Sequence, residues 1–223
     1  MKSSESKLDI PTEWTFKNLS VANNFDAHVR EQLPFYDLAS GAVAHVIRHY
    51  LTQDGLLYDI GASTGNMTRL VADSLKSRNV QTVSIEDSAE MADCFAGYGA
   101  LEIADARTYD YKKNFDVAVL FLVLMFLPID ERATLIETLY DRMRIGGALI
   151  IVDKTEPASG YVGTVLRRLA LAGKVATGTD ANEIIKKELS LAGSQRPLRD
   201  NELPDNAYCF FRFGEFAGWI IEK

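Results

Sequence analysis

The stretch Tyr58-Asp59-Ile60-Gly61-Ala62-Ser63-Thr64-Gly65-Asn66-Met67 reads as a strand that ends in a glycine-rich turn and opens a helix. Gly61 lets the backbone approach a ligand where a Cβ would intrude, and the free N–H groups at a helix start suit a carboxylate. Glu86 follows Gly65 by 21 residues, at the end of a second apolar run. A carboxylate there can accept from both hydroxyls of a ribose. Asp87 shares that position, and together with Glu90 it also reads as a helix cap. Asp105, in Ala104-Asp105-Ala106-Arg107, follows a third apolar run, where a carboxylate either accepts the exocyclic amine of adenine or caps the loop. A glycine turn, a ribose acid and an adenine acid in this order fit a ligand that contains adenosine.

The same residues exclude other chemistries. A nicotinamide dinucleotide calls for a Gly-x-Gly-x-x-Gly pyrophosphate cradle, whereas this turn is Gly-x-x-x-Gly, and no Gly-Lys-Ser/Thr follows as in a P-loop. His45 and His49 stand four apart in His-Val-Ile-Arg-His, which lacks the Glu of a zinc-protease helix, so no metal is expected. Cys94 and Cys209 are far apart with no Cys-x-x-Cys, signalling neither a disulfide framework nor zinc.

Positioning these residues requires strands that deliver their carboxyl ends to one edge. Short apolar runs at 56–60, 80–85, 101–103, 115–122 and 148–152 alternate with helical patterns, which predicts an α/β fold with a parallel sheet covered on both faces. After the first run, Met67, Leu70, Val71 and Leu75 predict one helix. A second helix opens at Pro128 with Ile136, Leu139, Tyr140 and Met143 on one face, and Gly146-Gly147 is read as its stop. Residues 154–200 predict a helical insertion, with Val162, Val165, Leu166 and Leu169 in one helix and Asp180 with Glu183 capping the next. Two aromatic-rich strands at 208–213 and 216–221, joined at Gly214-Glu215, predict a terminal antiparallel hairpin. The first 55 residues are expected to be a helical cover over the site, with Val43, Val46, Ile47 and Tyr50 on one face.

A chain of 223 residues fits one domain. With 47% apolar and 25% charged residues, a disordered or fibrous chain is excluded. The longest apolar run, Val117 to Leu127, has 11 residues against the roughly 20 that span a bilayer, and the start MKSSESKLDI has no apolar stretch. The expectation is a cytoplasmic protein with no membrane partner. The net charge of −7 disfavours a broad phosphate-binding surface, so DNA is not expected; Arg167-Arg168 and Lys186-Lys187 are read as solvated helix faces or small basic patches for RNA.

Asp59, the Gly61 turn and the terminal hairpin over residues 56–223 resemble the class I S-adenosylmethionine (SAM) methyltransferases. The resemblance implies a Rossmann-like seven-stranded fold, SAM or S-adenosylhomocysteine (SAH) as ligand, and transfer of a methyl group to a small molecule or nucleoside. It places Met91, Ala106 and Phe121 beside the ligand with Asp59, Gly61, Ala62, Gly65, Glu86, Asp87 and Asp105. Phe121-Leu122-Val123-Leu124 differs from the Asp/Asn-Pro-Pro-Tyr of amino-directed DNA methylases, which speaks against DNA methylation. Should the acceptor lose a proton, Tyr36 and His28 are the candidate catalytic residues in the N-terminal cover.

Trp14-Thr15-Phe16, Leu33-Pro34-Phe35-Tyr36 and Tyr208-Cys209-Phe210-Phe211-Arg212-Phe213-Gly214 narrow the likeness to the carboxy-SAM synthase family. This resemblance implies a homodimer that uses prephenate to carboxylate SAM for wobble-uridine modification of tRNA, with Tyr36 against the ligand. Three positions depart from the family pattern: Ala62 replaces a cysteine, Phe121 replaces an asparagine, and Glu188 stands where an arginine pairs with the extra carboxylate. A glutamate there meets a like charge, and a lost desolvated partner costs roughly 2–5 kcal/mol. Lys186, Lys187 and Arg196 are the candidate replacements. The sequence therefore predicts ordinary SAM and methyl transfer first, carboxy-SAM synthesis second, and a non-catalytic SAM- or partner-binding protein third.

Overall fold

The computed structural model describes residues 8–223. Met1–Lys7, part of the chain start that carries no apolar stretch, lie outside the described residues. The elements in order are α1 Leu19–Gln32, α2 Tyr36–Tyr50, β1 Leu56–Ile60, α3 Asn66–Leu70, α4 Ala72–Ser77, β2 Gln81–Glu86, α5 Ala89–Asp93 and β3 Ala100–Ile103. There follow β4 Phe115–Phe121, α6 Ile129–Arg142, β5 Met143–Lys154, α7 Gly160–Ala176, α8 Ala181–Ser190, β6 Tyr208–Phe213 and β7 Phe216–Glu222.

The seven strands form one sheet in the order β3-β2-β1-β4-β5-β7-β6. β1 to β5 run parallel, and β7 pairs antiparallel with both β5 and β6. This is the Rossmann-like class I methyltransferase arrangement. The chain order reverses between β1 and β4, and open α/β sheets bind ligands at such a switch point, beyond the carboxyl ends of the strands.

The apolar runs are buried on both faces because successive side chains alternate. Tyr58, Ile60, Ala118 and Leu120 pack with Leu135, Ile136 and Leu139 of α6, while Leu57, Val117 and Val119 pack with Val43 and Ile47 of α2. Both sheet edges depart from this: β3 and β6 are largely exposed.

Three local readings are corrected. The helix after β1 breaks at Val71 (φ −109°, ψ 8°), where Arg48 takes the Leu70 carbonyl at 3.0 Å, so Leu70 is exposed. Gly146-Gly147 does not stop α6: the helix ends at Arg142, Met143 begins β5, and the glycines lie within that strand. A Cβ at Gly147 would lie 2.7 Å from the Asp116 carbonyl, so the pair lets β5 close on β4. Asp87 and Glu90 do not cap α5. Ser88 does, accepting from the Met91 N–H at 3.1 Å. In the insertion, Asp180 caps α8 by accepting from the Asn182 N–H at 2.9 Å.

Among the described residues, no helix is long and apolar enough to cross a membrane.

Candidate functional site

A cavity of about 530 Å³ opens at the switch point, between the carboxyl end of the sheet, α1 and the α7–α8 insertion. That volume is in the usual range for a small-molecule site. Its floor is the β1–α3 turn. Gly61 has φ +66°, and the N–H groups of Gly61 and Ala62 both donate to the Ile85 carbonyl, at 2.8 and 3.0 Å. Gly65 has φ +81°; it supports the turn without lining the cavity, and a Cβ there would come within 2.4 Å of Gly97 Cα.

Glu86 closes the floor. The Ser63 N–H donates to its Oε2 at 2.8 Å and the Ser88 N–H to its Oε1 at 3.1 Å, which fixes the carboxylate at the cavity. Burial raises its pKa above the usual carboxylate range, against the pull of these bonds. Asp59 beneath it is buried, and burial, with help from Glu86, lifts it to about 7. Asp59 Oδ2, Ser63 Oγ and Asn66 Nδ2 are buried without a hydrogen-bond partner, on residues that line the floor. Native interiors seldom leave such atoms unpaired, so a polar ligand is the natural partner here. Two carboxyl groups beside a glycine turn fit the sulfonium, ammonium and ribose of SAM.

Asp59 gives a stability prediction. Between pH 3.8 and about 7 the folded protein holds a proton that the unfolded chain releases, so Asp59 costs stability as pH rises through that window. Asp59→Asn should raise the thermal midpoint of the ligand-free protein at pH 8 and leave it nearly unchanged at pH 4. Equal shifts at the two pH values would refute this.

The remaining predicted residues divide. Asp105, Ala106, Asp87 and Phe121 line the cavity. Asp105 is forked by Arg107, with Nη2 to Oδ2 at 2.6 Å, and Arg107 reaches on to Glu131 at 2.5 Å; the hydrogen bond from Arg107 lowers the Asp105 pKa. Asp87 pairs with Lys17 at 3.3 Å. Met91 is fully buried and is not part of the cavity wall; it packs behind it, with its N–H on the Ser88 cap. Tyr36 lines the cavity edge-to-face with Phe121 at 5.5 Å, and burial holds its phenol well above the usual range, so it can donate but not serve as a base at neutral pH. His28 is stacked on Trp14 at 5.4 Å, and burial followed by Lys187 and Lys174 lowers it to about 4. It is neutral at pH 7, with a buried Nε2 lacking a partner. His45 and His49 lie away from the cavity, with their Nε2 atoms 3.2 Å apart on an exposed face of α2.

The wall opposite the turn was the least legible part. Lys154, Lys174, Lys187 and Glu188 all line it. Lys174 bonds Glu188 at 2.9 Å; burial alone would raise Glu188, but Lys174, with Lys154 and Arg167, holds it below the usual carboxylate range. Of the candidate replacements for the family arginine, Lys187 reaches the cavity. Arg196 is spent on Glu156 at 2.6 Å, and Lys186 is exposed. Lys187 is therefore not part of a solvated basic patch: it is buried with its Nζ over the Trp14 ring. The pairing of the Trp14 N–H with the Ser190 carbonyl at 2.8 Å brings the N-terminal segment onto α8, a contact that no local sequence signal marks.

Comparison with known proteins gives the family and the fold. Residues 58–151 match a methyltransferase domain family. The chain is 30% identical over 225 aligned positions, covering 96% of it and 98% of the relative, to the carboxy-S-adenosyl-L-methionine synthase of Staphylococcus epidermidis. It is 28% identical, over 86% of this chain and 84% of the relative, to the enzyme of that name from Shewanella frigidimarina. Among solved structures, the plantazolicin methyltransferase BpumL in complex with SAH superposes with a TM-score of 0.61 at 14% identity, covering 91% of this chain and 89% of that one, which supports the fold. With the glycine turn and Glu86 at the switch point and this full-length match, the chain belongs to the carboxy-S-adenosyl-L-methionine synthase family of SAM-dependent transferases.

Proposed function

We propose that this chain makes carboxy-SAM, taking the carboxyl group from a small keto acid of the prephenate type. The observation that carries the reading is the make-up of the cavity wall: Lys154, Lys174 and Lys187 line it with Glu188, Lys174 pairs that glutamate, Lys154 stands 3.9 Å from Glu215, and Lys187 has no ion pair among the described residues. Read from sequence, Glu188 opposes an added carboxylate. In the fold that objection weakens, because Lys174 neutralises Glu188 and leaves Lys187 without an ion pair among the described residues. When bound, SAM would supply a methyl carbon whose C–H bonds its sulfonium acidifies; carboxylation exchanges one of these C–H bonds for a C–C bond, and the proton leaves as water with the hydroxide that a prephenate-type acid sheds as it loses its carboxyl group and aromatises. The chain's own residues hold the sugar at Glu86, seat the amino-acid end on the 61–65 turn, and exclude water with α1 and the insertion.

Methyl transfer from ordinary SAM is the second reading, and Glu188 favours it, since no arginine fork stands at that position. Both readings place a single domain in the cytoplasm acting on a small molecule or, through its product, on a tRNA nucleoside, and by family likeness as a homodimer. Mass spectrometry of the ligand released from freshly purified protein separates the two. Carboxy-SAM in the released fraction, or formed from SAM on adding prephenate, is the expected result. SAM or SAH alone, with no carboxylated product after prephenate, would turn the assignment to methyl transfer.

A further inference from the structure

We propose that Trp14, His28, Gln32 and Lys187 form a second subsite within the cavity, which binds a carboxylate of the co-substrate and takes up one proton as it does so. The subsite deepens the proposed reaction and rests on it for the choice of probe. The four residues come from three places in the chain, the N-terminal segment, α1 and α8, and all line the cavity. Each is at least nine-tenths buried: Trp14 is 6% exposed, His28 7%, Gln32 7% and Lys187 9%. Trp14 Nε1, His28 Nε2 and Gln32 Oε1 have no hydrogen-bond partner, and Lys187 makes no ion pair among the described residues. None of these groups is used by the glycine turn or Glu86. Trp14 Nε1 and Lys187 Nζ are donors for a carboxylate and His28 Nε2 is one in its Nε2–H tautomer, while Gln32 Oε1 accepts and takes a hydroxyl of the same co-substrate; buried polar atoms left unpaired at one wall call for a ligand that supplies these partners.

The ligand's charge follows from the surroundings of Lys187. His28 and Gln32 of α1, Trp14, Lys174 of α7, Lys154 at the end of β5 and Glu188 of α8 share its wall, and Glu188 is already bonded to Lys174. Burial and then Lys174 bring Lys187 down to about 5, so at pH 7 it is a neutral amine. An arriving carboxylate favours the ammonium and lifts that value, so a proton enters from solvent with the anion. Above pH 5 the free protein lacks this proton and the complex holds it, hence affinity falls as pH rises, by up to about tenfold per unit.

The test is calorimetric titration of prephenate into SAH-saturated protein, which fills the SAM half without turnover. Wild type should take up close to one proton, read from buffers of different ionisation heat at pH 7. Lys187→Met should abolish the uptake and weaken prephenate at least about tenfold, while SAH affinity stays within about twofold. Its thermal midpoint should equal or exceed that of wild type, since an unpaired buried amine is removed. Proton uptake that persists in Lys187→Met would overturn the assignment, as would a matching loss of SAH affinity, which would place SAM's own carboxylate there. Carboxy-SAM formation with an unchanged prephenate KM in Lys187→Met would remove the subsite and leave the reaction standing. Absence of carboxy-SAM, with malonate bound through a proton uptake that Lys187→Met abolishes, would support the subsite and remove the reaction.

Discussion

Glu202→Ala is expected to destabilise the protein by about 3–5 kcal/mol, measured as a shift of the urea midpoint. Arg132 has a side chain only 1% exposed, and each of its three guanidinium nitrogens donates: Nη1 to Glu202 Oε2 at 2.6 Å, Nη2 to the Arg196 carbonyl at 2.6 Å and Nε to the Leu127 carbonyl at 3.1 Å. Removing the carboxylate strands a buried cation, whose desolvation is then uncompensated. The consequence reaches the site, because the same group stitches the chain after the insertion to the rim of the cavity. Arg196 N–H also donates to the Met125 carbonyl at 2.7 Å, and Met125, Phe126 and Leu127 line the cavity. A companion Arg132→Met with Glu202→Leu removes both charges and should recover most of the loss. A single-variant loss below about 1 kcal/mol would show that the pair is not needed in the fold.

What the sequence made legible was local. Leu56–Ile60 announces a central strand through an unbroken apolar run, and Gly61 and Glu86 sit at strand ends that a parallel sheet must bring to one edge. What stayed hidden depends on tertiary contact. Lys187 looks like half of a dibasic surface pair until Trp14, 173 residues away, is found beneath its Nζ. Glu188 reads as an uncompensated charge because its partner Lys174 lies on the preceding helix, 14 residues back, and only tertiary contact joins them. The resemblance puts Met91 beside the ligand, yet nearness to Glu86 in sequence does not fix which face of a five-residue helix points to the cavity. Gly146-Gly147 misleads for a related reason: glycine marks a helix stop and a close strand approach alike, and the nearness of the Asp116 carbonyl decides between them.

The floor carries Asp59 and Glu86, while on the opposite wall Lys174 is paired with Glu188 and Lys187 is a neutral amine at pH 7. A cationic sulfonium is drawn to the floor, and an anionic co-substrate gains its cation at the wall through the proton taken up at Lys187. The proton lost from the SAM methyl on carboxylation leaves with the co-substrate's hydroxide, consistent with a Tyr36 that stays protonated and is no base.

Glu86→Ala should weaken SAH binding by about 1–3 kcal/mol, roughly five- to 150-fold, with calorimetry as the measurement. Glu86 is 7% exposed, and each carboxylate oxygen already accepts one backbone N–H, Ser63 at 2.8 Å and Ser88 at 3.1 Å. Each oxygen has a second lone pair, so the two bonds orient the group without exhausting it. Truncation removes the acceptor for the ribose hydroxyls and leaves two backbone N–H groups unpaired at the floor, so part of the loss is reorganisation of the 61–65 turn. Glu86→Gln separates these contributions. Its amide oxygen keeps one backbone bond and one acceptor site, while its NH2 group faces a donor, so it should fall between wild type and Ala. Unchanged affinity in Glu86→Ala would show that another group holds the sugar. Equal losses in Gln and Ala would show that both oxygens are needed together.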